Sequence, residues 1–316
     1  MRVLLKAAVV AGLGALWAVS AGAQEYPTRQ INLVIPFPPG GNTDLMARAL
    51  QPELAKALGQ AVVAINKGGA GGTIGNIEVS AGRPDGYTVG LTPNNPLTAQ
   101  PHVQKLPYDM NSFKYVCLTY YVPYVVMASP KAPFKTFQEF AAFAKGKPDN
   151  LIYASPGPGT QPHLGILSAL GAIGAEGVHV PFTGAGPMSQ AMLAGTVMAM
   201  SESTAVAKAS NLVVLAAQTR DRIASLPDVP TMRELGFPSE AFSAGGLIVP
   251  AATPDAVVAR LEKACAEAVA SDGYKQATEK LNAIARYLPG PEFRKMFDED
   301  SVRNADAVKK AGLAAK

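Results

Sequence analysis

The sequence predicts an α/β protein in which one 316-residue chain builds two blocks of largely parallel sheet. Apolar, β-branched runs alternate with helix-like periodic runs almost throughout, as expected where helices connect parallel strands. Two extended apolar segments, 121–128 and 242–249, are suited to pass from one block to the other. We therefore expect a first block that is completed by the C-terminal helices, with the second block inserted between them and a hinged cleft where they meet.

The predicted strands are short apolar runs bounded by Gly, Pro, Asn or charged residues. In chain order they are 31–35, 61–65, 87–91, 122–128, 151–154, 178–181, 197–200, 212–217 and 247–249.

The predicted helices show apolar residues at three- and four-residue spacing, and several carry start signals. Thr136 with Glu139, and Thr231 with Glu234, have capping-box spacing at two helical starts. The segment after Thr253 is the clearest amphipathic helix. The other predicted helices are 43–58, 74–81, 163–170, 188–193 and 291–311.

The N-terminus predicts export. Arg2 and Lys6 precede an apolar stretch at 7–19, and Ala21-Gly22-Ala23 fits a small-x-small cleavage site. We predict a Sec-type signal peptide over residues 1–23, cleavage after Ala23 and a periplasmic mature protein. The alternative, a membrane anchor, is less favoured because the apolar core is short for a transmembrane helix.

Charge and motifs exclude several function classes. The net charge of +4 includes Arg2 and Lys6, so the mature chain carries about +2, too little to indicate a nucleic-acid or anionic-membrane partner. Nucleophile-elbow, zinc-helix and Walker A motifs are absent, and the three histidines are scattered. We predict no metal, no cofactor and no catalytic residue. The glycines of "KGGAGGTIGN" are interpreted as a loop that needs positive φ.

The cysteine pair leaves two readings. Export permits a disulfide, but Cys117 and Cys265 lie far apart and follow no recognised spacing. Cys265 falls in the amphipathic helix and Cys117 in a β-rich run. Two buried free thiols is the favoured interpretation, and a bridge between them is the alternative.

Three Gly/Pro-rich segments each follow a predicted strand and precede a predicted helix: "PFPPGGNTD" at 36–44, "SPGPGTQPH" at 155–163 and "PFTGAGP" at 181–187. Ligands of open α/β sheets bind at the carboxyl ends of strands, where such loops lie. Residues 40–43 can present backbone N–H groups at a helix N-terminus to a carboxylate. No Arg or Lys lies in the three segments, so backbone and hydroxyl donors would hold the anion.

Three ionisable residues have open roles. Asp44 is expected in the first helical turn, with the cleft as alternative. His163 is expected at a helix start, making a structural or ligand hydrogen bond. Glu202 follows a strand, and a solvated carboxylate is slightly favoured over a side chain that enters the cleft.

The chain resembles the Bug family, the TctC-like periplasmic receptors of tripartite tricarboxylate transporters. The likeness is carried by "YPTRQINLVIPFPPGGNTDLMARAL", "YASPGPGTQPHL", "HVPFTGAGP" and "LPDVPTMRELG", in family order over the mature chain. It implies a type II periplasmic-binding-protein fold with lobe 1 at 24–124 plus 244–316 and lobe 2 at 125–243. It also implies a monomer that closes on a carboxylated solute and delivers it to membrane subunits.

The resemblance implies a ligand-binding set, to which we add two asparagines and Glu202. The complete predicted set is Phe37, Gly40, Gly41, Asn42, Thr43, Asp44, Asn94, Asn95, Ser155, Gly157, Gly159, Thr160, His163, Pro181, Phe182, Thr183, Gly184 and Glu202.

Departures from the family pattern fall on the selectivity side. Phe182-Thr183 stands where relatives often have Tyr-Lys, which mildly favours an apolar-bodied or aromatic carboxylate over a tricarboxylate. Two alternatives remain: an exported hydrolase-like enzyme using His163 and Glu202, and a receptor that feeds a sensor rather than a transporter.

Overall fold

A computed structural model describes residues 26–146, 148–182 and 185–314. The predicted signal peptide, its cleavage after Ala23, and the site residues Thr183 and Gly184 lie outside this part of the chain. None of the helices within it is both long and apolar enough to cross a membrane.

The described strands join in one continuous mixed sheet. They are β1 Ile31–Ile35, β2 Val62–Asn66, β3 Thr88–Pro93, β4 Phe113–Ala128, β5 Ile152–Ser155, β6 Val178–Pro181, β7 Ala199–Ser203, β8 Val213–Ala217, β9 Phe242–Pro250 and β10 Ile284–Pro289.

Helices cover the faces of the sheet and connect its parallel strands. They are α1 Asn42–Leu58, α2 Thr73–Ser80, α3 Asn95–Thr98, α4 Gln100–Val103, α5 Phe137–Gly146, α6 Gln161–Ile173, α7 Ala185–Ala194, α8 Thr204–Ser210, α9 Asp255–Ala270, α10 Asp272–Lys280 and α11 Gly290–Lys310.

Strand β4 belongs to both halves of the molecule. Its first part pairs with β9, from Phe113 opposite Pro250 to Pro123 opposite Phe242. From Tyr124 onward it pairs with β7 and β8 instead. This change of partners divides the sheet into a first lobe, with β1–β3 and β10, and a second lobe, with β5–β8.

The strand directions turn the two lobes toward each other. Strands β1–β3 are parallel to one another and antiparallel to β9, which is itself antiparallel to β4. They therefore run in the same direction as β4, toward the second lobe. Strands β5–β7 are mutually parallel and antiparallel to β4, so they run back toward the first lobe. The carboxyl ends of both sets face one another.

Each lobe has its own apolar core. Leu33, Leu50 and Leu247 are buried together in the first, and Phe140 and Ile166 in the second. A further small cluster, with Ala99, Leu164 and Val308, joins helices of both lobes. Most burial therefore stabilises each lobe separately, and the contact between them is smaller.

The expectation of free thiols is wrong. Cys117 on β4 and Cys265 on α9 form a disulfide with a Cα–Cα distance of 6.6 Å. Both residues are fully buried in the first-lobe core. The helix packs directly on the strand, and this brings together two positions separated by 148 residues in sequence.

Candidate ligand-binding site

The first loop joins β1 to α1 and presents open backbone donors. Gly41 is the N-cap of α1, and the first helical hydrogen bond runs from the Leu45 amide to the Gly41 carbonyl. Among the described residues, none accepts a hydrogen bond from the N–H groups of 41–44. Such a helix start attracts an anion, because its donors and the helix dipole act together.

Asp44 anchors this loop through its buried carboxylate. Its carboxylate accepts hydrogen bonds from Arg48 Nε at 3.0 Å, Asn66 Nδ2 at 2.8 Å and the Gly40 amide at 2.9 Å. Burial alone would raise the pKa of Asp44, but these bonds outweigh it and hold the pKa below its ordinary value. The expected place in the first helical turn is confirmed. The Gly40 amide, predicted as a ligand donor, is used by Asp44.

Close packing fixes the first loop from behind. A Cβ on Gly72, whose φ is +92°, would lie within 3 Å of the Phe37 ring and of Pro96. The positive φ predicted for "KGGAGGTIGN" is confirmed at Gly69, Gly71 and Gly72. The segment acts as a backing for the loop, and Phe37 is a half-buried part of that packing.

The second loop joins β5 to α6 and is closed on itself. The Ser155 hydroxyl accepts from the Gly157 amide at 3.1 Å, and the Thr160 hydroxyl donates to the Gly157 carbonyl at 2.7 Å. The Gly159 amide donates to His163 Nδ1 at 3.1 Å. Ser155, Thr160 and His163 therefore shape the loop, and the N–H groups of 161 and 163 have no acceptor among the described residues.

Two histidines stack beneath this loop. The rings of His163 and His179 lie 4.1 Å apart, and Tyr153 stacks on His179 at 5.2 Å. His179 Nε2 lies 2.7 Å from the Ser155 hydroxyl. His179 was absent from the predicted set. The feature that identifies His179 is the parallel register of β5 with β6, which places it opposite Tyr153.

The lobes meet between the second loop and the helices that follow β3. The Asn95 side-chain amide donates to the Gly159 carbonyl at 3.0 Å, and a Cβ on Gly159 would lie 3.2 Å from Val103. The structure therefore brings Asn95 to the predicted site, as a contact between the lobes.

Asn94, by contrast, lies inside the first lobe. It is fully buried, and its Nδ2 donates to Asp300 at 2.9 Å and to the Phe242 carbonyl at 3.3 Å. A side chain at this register faces α11 and β9, and its ligand contact stays a prediction.

The third loop follows β6 beside the second. The Phe182 amide donates to the Ser155 carbonyl at 2.9 Å, and the half-buried Phe182 packs against another apolar cluster of the second lobe, which includes Met188 and Met200. Pro181 is exposed at the end of β6. The described part of this loop thus offers an apolar side chain.

Glu202 lies at the end of β7, one position from the residue that faces Tyr124 at the crossing. Its side chain is only 7% exposed, so the prediction of a solvated carboxylate is wrong. Burial raises the pKa of Glu202, and its one hydrogen bond within the described chain is accepted from the Ser203 amide at 2.6 Å. No ion pair with a described Lys or Arg compensates for its charge.

The chemistry of these residues suits binding. Across residues 26–146, 148–182 and 185–314, no group of three or more His, Cys, Asp or Glu side chains could hold a metal ion. The facing loops instead offer two helix starts with open N–H groups, one buried carboxyl and one apolar ring. Such a set can hold a carboxylate at one end and discriminate at the other.

Comparisons with known proteins agree with this reading. The model of the TctC family, described as the tripartite tricarboxylate transporter family receptor, matches residues 46–313. BugT from Bordetella pertussis is 31% identical over 309 residues, which are 95% of this chain and 94% of that protein.

Solved structures share the fold. A ligand-free TctC solute-binding protein from Polaromonas superposes with a TM-score of 0.81 at 30% identity, over 90% of this chain and 99% of that one. MatC from Rhodopseudomonas palustris with bound malate gives 0.74 at 30% identity, over 90% and 100%. An R. palustris protein with adipate gives 0.78 at 26% identity, over 92% and 99%.

Proposed function

The chain belongs to the TctC family of tripartite tricarboxylate transporter receptors, and from that premise we propose that it captures a small carboxylate for transport. The carboxylate binds between the two lobes, and the closed form delivers it to the membrane subunits of a tripartite transporter. The receptor acts as a periplasmic monomer that is exported by its signal peptide.

One observation carries the proposal: the start of α1 presents backbone N–H groups that no described residue accepts from. Buried and half-buried amides are almost always paired in proteins. Asp44, whose carboxylate could have occupied this helix start, is held instead by Arg48 and Asn66. A ligand carboxylate fits the remaining donors, and it gains charge-assisted hydrogen bonds without a lysine or arginine.

The second lobe selects the remainder of the ligand. Two of the solved structures compared above contain malate and adipate, which are aliphatic dicarboxylates. Here Phe182 supplies an apolar contact and Glu202 a buried carboxyl with one oxygen that has no partner in the described chain. Glu202 therefore favours a ligand with a hydroxyl, an ammonium or a protonated second carboxyl at its far end.

Closure uses the crossing strands as a hinge. We divide the lobes at 24–124 with 244–316 and at 125–243, since β4 changes partners at Tyr124. Ligand contacts made by both lobes at once favour the closed form, and the membrane partner recognises that form.

The hydrolase alternative finds no support in the second loop. His163 Nδ1 is occupied by the Gly159 amide, and the Ser155 hydroxyl is fully buried within its own loop. A general base needs a proton-accepting atom within reach of substrate, and this histidine has already used its acceptor.

A matched pair of variants tests the first loop. Gly41 has φ of −76°, which proline adopts, and a Cβ there would meet only the Pro38 carbonyl at 3.6 Å. Gly41→Pro removes one N–H donor, whereas Gly41→Ala keeps it. Dicarboxylates, aromatic acids and amino acids are screened by thermal shift, then titrated by calorimetry.

We expect stabilisation by at least one carboxylate, of about 2.7 kcal/mol at one hundred times Kd. We also expect affinity to fall about tenfold in Gly41→Pro relative to Gly41→Ala, as for loss of a hydrogen bond to a charged group. Equal affinities would show that the Gly41 amide does not hold the carboxylate, and the absence of any stabilising carboxylate would overturn the proposal.

A further inference from the structure

The second loop depends on a pair of histidines that sit behind it. Gly159 donates its amide to His163 Nδ1 at 3.1 Å and its carbonyl accepts from Asn95 of the other lobe at 3.0 Å. One residue thus links the ring of His163 to the contact between the lobes. His179 stacks on that ring at 4.1 Å and contacts the Ser155 hydroxyl. The same hydroxyl accepts a hydrogen bond from the Gly157 amide.

We propose that His163 and His179 are positioning residues that hold the 155–160 loop in its binding geometry only while both rings are neutral, so that acid weakens carboxylate binding. The affinity readout rests on the proposed function, whereas the loop geometry can be followed in the free protein. Neither ring needs to touch the ligand.

The geometry requires an unprotonated Nδ1 on His163, since that atom accepts from the Gly159 amide. A second proton on His163 would place two N–H donors face to face. If His179 were protonated as well, two imidazolium rings would lie 4.1 Å apart. Both effects push Gly159 away from the helix start. The carbonyl that Asn95 holds would move with it.

Within the described part of the chain, no opposite charge offsets this cost. The groups that face the pair are Tyr153 on β5 and Ser155 at its end, both uncharged at neutral pH. Glu240 and Arg303 line a small cavity against Gln161 and Leu164, on the side of α6 turned away from His163. Burial, reinforced by His179, lowers the pKa of His163 to about 4, and burial also lowers the pKa of His179.

The sign of the effect follows from these directions. The pKa of such a histidine is depressed when the 155–160 loop is closed, that is, in its binding geometry, and is ordinary when the loop is open and has left that geometry. The histidine therefore binds more protons when the loop is open. The closed loop is therefore most stable relative to the open loop above about pH 6.5, and this stability decreases as pH falls toward 4. Consider an imidazole whose pKa is about 4 in the closed loop and 6.5 in the open loop. Its protonation lowers ligand affinity at pH 5 by at most about thirtyfold.

Two substitutions keep the hydrogen bonds and remove the titration. His163→Asn places an amide oxygen near the position of Nδ1, where it can still accept from Gly159. His179→Gln places an amide near the position of Nε2, within reach of Ser155. His163→Leu removes the acceptor, and His102→Gln alters the remaining histidine, which contacts Ser301.

The experiment combines two readouts on the full mature protein. Glycine amides are labelled with ¹⁵N, and the Gly159 signal is followed by NMR from pH 7.5 to 4.5 without ligand. Malate, adipate and the best carboxylate of the thermal-shift panel are titrated by calorimetry over the same range. Comparison of wild type with variants cancels the titration of the carboxylates themselves.

We expect the Gly159 amide to titrate in wild type and His102→Gln, to titrate less in His163→Asn, and to remain constant when His163→Asn is combined with His179→Gln. Affinity should fall about tenfold more in wild type than in His163→Asn between pH 7.5 and 5. His163→Asn should also recover most of the affinity that His163→Leu loses at pH 7.5. Parallel pH profiles in wild type and His163→Asn, or no recovery by asparagine, would overturn the proposal. Wild-type-specific titration of Gly159 without binding of any carboxylate would keep the loop role and reject the proposed function instead.

Discussion

The Asn95 side-chain amide donates a 3.0 Å hydrogen bond to the Gly159 carbonyl and thereby joins the first lobe to the second. It does so at the edge where the carboxyl ends of both sets of parallel strands face each other. Closure and the shape of the second loop are therefore coupled through one backbone carbonyl.

Asn95→Ala should weaken binding and leave the fold intact. The lost hydrogen bond corresponds to about 0.5–1.5 kcal/mol, or two- to tenfold in affinity. Asn95→Asp should weaken binding further, because its carboxylate oxygen would face the Gly159 carbonyl. Calorimetry measures both, and an affinity equal to wild type in both variants would mean that this contact does not support closure.

Asn94→Ala should give the opposite pattern. The Asn94 amide is buried against Asp300, so truncation leaves that carboxyl short of one donor, at a cost of about 1–3 kcal/mol of unfolding free energy. Urea denaturation should show the loss. A strong fall in affinity with unchanged stability would return Asn94 to the ligand set.

Asp44→Asn should loosen the first loop. The amide cannot accept as strongly from Arg48, Asn66 and Gly40 together, and about 1–3 kcal/mol of stability should be lost at neutral pH. The native pKa of Asp44 lies below 3.8, so its contribution is present above about pH 4 and disappears as pH falls through the native value. The wild-type and Asp44→Asn unfolding free energies should therefore converge in acid, and a constant difference down to pH 2 would contradict the assigned role.

Gly72→Ala should disturb the backing of the first loop. The new Cβ would approach Pro96 to 2.7 Å and Phe37 to 2.8 Å at a φ of +92°. Backbone strain alone costs about 1–2 kcal/mol. Gly171→Ala is the matched control, since a Cβ there meets nothing within 4 Å and alanine favours its helix. Equal urea midpoints for the two variants would refute the close packing.

Reduction of the Cys117–Cys265 bridge should destabilise the first lobe. A disulfide that closes a loop of this length contributes about 2–5 kcal/mol, and the double substitution of both cysteines by alanine should lose a similar amount. Guanidinium unfolding with and without dithiothreitol provides the comparison. Identical transitions, with thiol titration confirming reduction, would show that the bridge adds no stability.

Local pattern predicted most of the elements. The bounds of β1 and β6 coincide with the apolar runs from which they were predicted. Both capping boxes form, with the Glu139 and Glu234 amides donating to their threonines, although the box at Thr231 closes a turn rather than a helix. Short runs between Gly and Pro leave little choice of boundary.

The elements that were predicted with wrong bounds, or not predicted, are those where packing overrides local preference. Strand β4 begins nine residues before the predicted start at Val122, and β10 was not predicted, because pairing with other strands supports residues whose pattern is mixed. Helix α10 has an unfavourable glycine, Gly273, at its second position, but Ser271 caps the helix and Tyr274 is fully buried.

The candidate site was predicted at the level of loops rather than roles. Glycine and proline reveal where a loop must bend and stiffen, so segments 36–44 and 155–163 could be located. Whether Asn94 or Asn95 faces the cleft depends on register, and the pairing of Tyr153 with His179 depends on which strands are neighbours. Neither is encoded in the local sequence.

A crystal structure of the protein with its best-binding carboxylate tests the central claim most directly. We predict that a ligand carboxylate oxygen lies about 2.7–3.1 Å from the backbone nitrogens at the start of α1, Asn42 and Thr43 among them. We also predict that the far end of the ligand lies against Phe182 and Glu202. A carboxylate bound between the lobes that contacts neither Asn42 nor Thr43 would contradict the account.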